Sequence, residues 1–156
     1  MKSFKEILHL IGMTDKDTRH TYGPVYDGLF RRYREDARNV LEVGVCDFGG
    51  GCVLALAEYF YNATIWGADI STAKCVKHVF DHPRIKMIKG DAYSVLFTQK
   101  LGTTKFDIII DDGSHEIEAQ TSLLKSLHPF LKDDGFYCVE DCVASQWEPY
   151  WQEFDN

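Results

Sequence analysis

Residues 106–115 read Phe106-Asp-Ile-Ile-Ile-Asp-Asp-Gly-Ser-His115, an apolar run that stops abruptly in two carboxylates, a glycine and a histidine. Three consecutive β-branched isoleucines pack on both faces of a strand, which predicts a buried strand in a helix-covered parallel sheet. The polar cluster then lies at the strand's carboxyl end, where ligands bind in open α/β sheets. Downstream, Gly135-Phe-Tyr-Cys-Val139 repeats the pattern and ends in Glu140-Asp141. Two neighbouring strands therefore carry carboxylates and an imidazole to one rim.

Working outward, the chain alternates strand and helix. Before the rim come a short amphipathic helix over residues 3–12 with Ser3 as N-cap and Gly12 as stop, a polar loop from Thr14 to Tyr22, and a helix around 26–33. Strands are expected at 39–45, 64–70, 84–91, 106–112 and 135–141. Helices are expected at 53–60, 72–80, 93–100, 116–131 and 146–154, with Asp133-Asp-Gly135 as a turn. Five such alternations predict an α/β fold, a parallel sheet of about five strands with helices on both faces. The expected organisation is a single domain over 1–156: N-terminal helices and loop over 1–36, the core over 37–142 and a C-terminal helix over 143–156.

The first strand carries a charge, Glu42, which needs a cationic or hydrogen-bonding partner if buried. It leads into Gly44 and then Cys46-Asp-Phe-Gly49-Gly50-Gly51. A strand, a glycine turn and a helix bring backbone N–H groups up to a nucleotide. The glycines depart from Gly-x-Gly-x-x-Gly, which disfavours a dinucleotide and an NAD(P)-linked oxidoreductase. Asp69, at the end of the second strand, is placed to accept hydrogen bonds from ribose hydroxyls, and Asp91-Ala92, at the end of the third, to read a base.

The length, 156 residues with 45% hydrophobic content, permits a substantial core. A net charge of −7 without a Lys/Arg block argues against a duplex nucleic-acid binder. No apolar run is long enough for a bilayer span and the first residues lack the apolar core of a signal peptide, so a soluble, cytoplasmic protein is expected. Five cysteines without paired CxxC spacing read as reduced thiols.

With Glu42-x-Gly44, Gly49-Gly-Gly51, Asp69, Asp91 and Asp111-Asp112 in place, the chain resembles class I S-adenosylmethionine-dependent methyltransferases. More narrowly, Thr14-Asp-Lys16 with His20-x-Tyr22, Asn39-Val-Leu-Glu-Val-Gly-Val45, Asp111-Asp-Gly-Ser-His115 and Val139-Glu-Asp141 resemble the macrolide-sugar O-methyltransferases of the mycinamicin and macrocin type. The resemblance implies that Gly44, Gly49, Gly50 and Gly51 hold the methionine end of S-adenosylmethionine, with Asp69 on its ribose and Asp91 and Ala92 on its adenine. Glu42 and Asp111 join that cofactor-binding set, Asp111 reading equally as a cap for the following helix. Thr14, His20 and Tyr22 would belong to a loop closing over the cofactor. Asp112, Glu140 and Asp141 match the family's Mg²⁺ ligands and His115 its general base, a chemistry that oxygen ligands and an imidazole suit on general grounds.

The function so implied is Mg²⁺-assisted O-methylation of a sugar or polyhydroxylated small molecule. The alternative is a cofactor-binding or assembly protein on the same fold without catalysis. The sequence departs from the Rossmann-like family pattern in lacking its last two strands, as a shortened form or a fragment would. Strand five is then an apolar edge that a second copy or the terminal aromatic helix must cover.

Overall fold

The computed structural model describes residues 1–148. Its five strands are β1 (Asn39–Val43), β2 (Thr64–Asp69), β3 (Ile85–Lys89), β4 (Phe106–Asp111) and β5 (Leu131–Val139). All pair in parallel in the order β3-β2-β1-β4-β5, and no further strand occurs among the described residues. The expected Rossmann-like sheet is thus present. Its chain order reverses beside β1, which puts the ends of β1 and β4 next to each other with Val43 opposite Asp111.

Strand periodicity divides the core into two layers. Val40, Ile65, Ile108 and Ile110 pack with α1 (Phe4–Ile11), α2 (Tyr22–Phe30) and α3 (Gly51–Tyr59). Leu41, Val43, Ala68 and Ile109 pack on the opposite face with α5 (Val95–Leu101) and α6 (Ile117–Leu127). Between these helices in the chain lies the short α4 (Lys77–Asp81), and α7 (Ala144–Trp147) closes the described chain. Only the start of the expected last helix falls within the described residues. No helix among them is long and apolar enough to cross a membrane.

α1 forms where predicted: Ser3 accepts from the Glu6 N–H while Glu6 bonds back to the Ser3 N–H, and Gly12 stops the helix at φ +70°. α6 ends earlier than expected because Pro129, without an N–H, turns the last residues into a 3₁₀ turn over His128–Phe130. β5, by contrast, starts earlier. Phe106 pairs with Leu131 and Ile108 with Phe136, so Asp133-Asp-Gly135 is a bulge within the strand and not a turn before it. The bulge leaves both aspartates exposed along an otherwise half-buried edge strand, the kind of charge that discourages strand addition.

Phe4 fixes the N-terminal segment to this frame. It is fully buried and meets Tyr26, Phe30 and Tyr59 edge-on, at centroid separations of 5.7, 5.2 and 5.5 Å. Phe4→Ala is therefore expected to cost about 3–5 kcal/mol, read as a lowered urea midpoint with little change in slope.

Candidate functional site

Two adjoining cavities open at the carboxyl ends of the strands. The larger, about 420 Å³, is lined by Gly44, Cys46, Asp69, Ile70, Asp91, Ala92, Tyr93, Asp112 and Gly113, among others. The smaller, about 80 Å³, is lined by Thr14, Lys16, Glu42, Gly44, Gly51, Asp112, His115 and Asp141, among others. Gly44, Asp112 and Gly113 form part of both walls.

Gly44 makes that shared wall possible. At φ +85° it turns the chain out of β1, and a Cβ there would lie 1.9 Å from the Asp112 carbonyl oxygen. No side chain fits between the two strand ends. Gly51 meets a similar constraint, since its Cβ would lie 1.8 Å from the Met13 carbonyl oxygen, so the segment after α1 crosses directly over the start of α3. Gly49 and Gly50 line neither cavity and face Val76 and Val79 instead.

Of the residues expected to hold a nucleoside, Asp69, Asp91 and Ala92 line the larger cavity together. Asp69 is also fixed by its own backbone surroundings, since the Cys46 N–H donates to one carboxylate oxygen and the Ser71 N–H to the other, both at 2.8 Å. The Tyr93 N–H donates to Asp91 at 2.9 Å. These bonds orient both carboxylates and leave each oxygen a further lone pair. Asp111 lies elsewhere: it is 1% exposed, lines neither cavity and accepts the Gly113 N–H. Burial pushes its carboxyl up to about 7.

At the acid rim, Asp112, His115 and Asp141 place ligand atoms within 4.8 Å of one another. His115 Nε2 is 3.6 Å from Asp141 Oδ2 and the ring is half exposed. Glu140 does not join that group. Its carboxylate is 4% exposed and accepts from the Tyr26 hydroxyl on Oε1 and from Lys16 Nζ on Oε2, the latter at 2.8 Å. His20 and Tyr22 also come to the rim and not to the larger cavity. They stack on each other, and the Tyr22 hydroxyl donates to Asp141.

Sequence reasoning missed the centre of this arrangement. Lys16 is 1% exposed, and its ammonium lies 2.6 Å from Asp112 Oδ2, 2.8 Å from Glu140 Oε2 and 3.6 Å from Glu42 Oε1. Burial alone would lower its pKa, but the surrounding acids raise it well above the usual lysine value. Burial raises Glu42, Asp112 and Glu140 from their ordinary values while Lys16 opposes it in each. Glu42, the most enclosed, is pushed up to about 7 and leaves Oε2 without a partner. The signal that pointed here was Glu42 itself, a charge in a strand without a visible counterion.

A second departure concerns the thiols. Cys46 and Cys75 are disulfide-bonded with Cα atoms 5.1 Å apart, while Cys52, Cys138 and Cys142 are free. The expectation of five reduced cysteines is corrected accordingly, because folding brings the glycine turn against the loop before α4. The Val76 N–H donates to the Gly49 carbonyl at the same junction.

The residues present fit the groups implied by the motifs. The larger cavity offers backbone and carboxylates for a nucleoside, and the unpartnered Glu42 oxygen beside the smaller one leaves capacity for a polar or cationic group. Carboxylate oxygens of Asp112 and Asp141 are donors suited to Mg²⁺.

No protein-family model matches the chain. Over 142 residues it is 34% identical to mycinamicin VI 2''-O-methyltransferase of Micromonospora griseorubida, an alignment covering 86% of this chain and 34% of that protein. It is 32% identical, with the same two coverages, to demethylmacrocin O-methyltransferase of Streptomyces fradiae. A solved structure of MycE methyltransferase from the mycinamycin pathway, in complex with Mg, SAH and mycinamycin VI, matches with a TM-score of 0.78 and 31% identity, covering 99% of this chain and 42% of that one. The chain spans about a third of the length of the curated relatives it matches.

Two measurements check this geometry. Below pH 4.5 Glu42 is protonated in both native and unfolded chains, whereas towards pH 7 only the native one keeps its proton, so stability falls across that window. Glu42→Gln carries no such proton. Its melting temperature relative to the unsubstituted protein is expected to climb from pH 5 to 8, and a flat difference would refute the buried-acid assignment. For the disulfide, Cys46→Ser/Cys75→Ser opens a link with a sequence separation of 29. It is expected to cost about 3–4 kcal/mol by chain entropy, and thiol titration of unfolded, unreduced protein should count the three free cysteines.

Proposed function

We propose that this chain, which belongs to the class I S-adenosylmethionine-dependent methyltransferases and is homologous to macrolide- and sugar-O-methyltransferases, methylates a hydroxyl of a sugar or polyhydroxylated small molecule. S-adenosylmethionine is the methyl donor and Mg²⁺ assists. The observation that carries the reading is the shared wall. A nucleoside-sized cavity ending at Asp69, Asp91 and Ala92 adjoins an acid-and-imidazole rim across Gly44, Asp112 and Gly113. A methyl group donated from one side and a hydroxyl held on the other would meet there.

In this reading Gly44 and Asp69 orient the donor, while Asp91 and Ala92 receive its base. Asp112 and Asp141 would hold Mg²⁺, with Glu140 behind them as the third acid of the set. When bound, the ion supplies a positive charge that orients the acceptor hydroxyl and makes it more acidic. His115 takes the hydroxyl proton, held by its contact with Asp141. S-adenosylmethionine, held by Gly44, Asp69 and Asp91, would supply a methyl group on a sulfonium, to be accepted by the hydroxyl oxygen that His115 deprotonates. Alignment of oxygen, carbon and sulfur then carries most of the remaining acceleration.

The acceptor is proposed as a glycoside because relatives are named for rhamnosyl tetracenomycins and an olivosyl oleandolide. The cytoplasm is the proposed compartment, and the Cys46–Cys75 bond is the feature that weighs against it.

The test is methyl transfer to a panel of glycosides, followed by mass spectrometry with Mg²⁺ and with chelator. Transfer is expected only with the metal. His115→Ala should lower turnover by about 10²–10⁴-fold while leaving calorimetric S-adenosylhomocysteine binding intact. Unchanged turnover would remove His115 from the role of base. Cofactor binding without transfer to any acceptor would favour the binding or assembly alternative.

A further inference from the structure

Lys16 is absent from the mechanism above, yet its ammonium bonds two of the acids named there, Asp112 and Glu140. We propose that Lys16 is a positioning residue for the metal site, fixing Asp112 from its inner side so that the remaining carboxylate oxygen is presented to the ion. This deepens the metal reading and rests on it.

The case begins with donor valence. An ammonium has three N–H donors and no acceptor. Lys16 bonds Asp112 and Glu140 directly, which commits two of its three donors, and faces the Glu42 carboxylate at 3.6 Å, so the ammonium is directed at acids of the protein. At 1% exposure it is enclosed. Proton exchange with a substrate does not fit such a group, whereas a fixed link does.

The carboxylates show what the link accomplishes. Glu140 has both oxygens committed, one to Lys16 and one to Tyr26, and is thereby immobilised. Asp112 is held through Oδ2, which leaves Oδ1 outside that bond, and the residue contributes a carboxylate oxygen to the cluster with His115 and Asp141. Lys16 therefore joins the ends of β1, β4 and β5 through one atom. Its own backbone is fixed as well, since the Lys16 N–H donates to Thr14 Oγ1, the Tyr22 N–H donates to the Lys16 carbonyl, and Met13 lies across Gly51. Groups behind metal ligands that orient them typically change metal affinity by about 10–100-fold when removed.

A neutral replacement leaves buried acids without their counterion, so two variants are needed. Lys16→Met removes the ammonium alone, and Lys16→Met/Glu42→Gln also removes one of the acids it balances. Mn²⁺ binding, followed by electron paramagnetic resonance as a stand-in for Mg²⁺, is measured on both, beside thermal melting and S-adenosylhomocysteine calorimetry.

In whichever variant folds and binds S-adenosylhomocysteine within about twofold of the unsubstituted protein, the Mn²⁺ dissociation constant should rise by at least about tenfold. An unchanged or tighter Mn²⁺ constant in such a variant would overturn the proposal, because Lys16 would then be charge balance or a competitor for the acids. The unsubstituted protein and Asp112→Asn separate this from the underlying reading. Absence of Mn²⁺ binding by the unsubstituted protein would refute the metal site itself, whereas binding that Asp112→Asn abolishes leaves Lys16 as the question under test.

Discussion

A single ammonium, that of Lys16, is enclosed among carboxylates at the ends of three different strands. Each partner taken alone is costly to bury, because desolvation of an ion in the interior amounts to several kcal/mol even after relaxation. Together they compensate one another, and removing one member of such a network leaves the others unbalanced at about 3–5 kcal/mol. The N-terminal segment is thereby bound to the sheet at its strand ends as well as across one face. Its aromatic anchor, Phe4, packs under α2 and α3, and its charged anchor reaches over the strand ends. Gly51 is small where it is because this segment must pass directly above it.

The fold was legible because its central strands are simple. Val40, Leu41, Ile108, Ile109 and Ile110 are buried on alternating faces, so an unbroken apolar run is the pattern a strand covered on both sides must have. Element ends were less legible where local and tertiary preferences compete. Asp133-Asp-Gly135 has the composition of a turn, and its local chemistry is indeed that of a chain leaving a straight path. Yet Leu131 finds a partner in Phe106, so pairing starts before the irregularity and absorbs it as a bulge.

The candidate site divides in the same way. The placement of Asp69, Asp91 and Asp112 at the larger cavity was legible by counting from apolar runs, since a strand's carboxyl end fixes where its last side chains emerge. Lys16 was not, because its partners lie 96 and 124 residues away and no local pattern records such pairing. Glu42 carried half of that information: a charge within a strand demands a counterion without naming it. The Cys46–Cys75 bond was illegible for a related reason, as spacing along the chain says nothing about a turn and a distant loop folding together. Asp111 and Asp112 show the limit of a two-residue motif. They are adjacent, but only Asp112 lines the cavities, while Asp111 remains enclosed at the sheet.

The close approach of Gly44 to the Asp112 backbone ties these halves into one device. The Asp112 N–H donates to the Val43 carbonyl and the Gly44 N–H to the Ala68 carbonyl, so the three central strand ends are cross-linked just where both cavities begin. The wall of the larger cavity is therefore continuous with the backbone that carries Asp112, and Asp112 is held by Lys16 on its inner side. In the proposed reading, placement of the methyl donor and placement of the hydroxyl acceptor are consequently not independent. Both would then refer to the same few peptide units, which is how two reacting atoms are kept aligned where alignment supplies most of the acceleration.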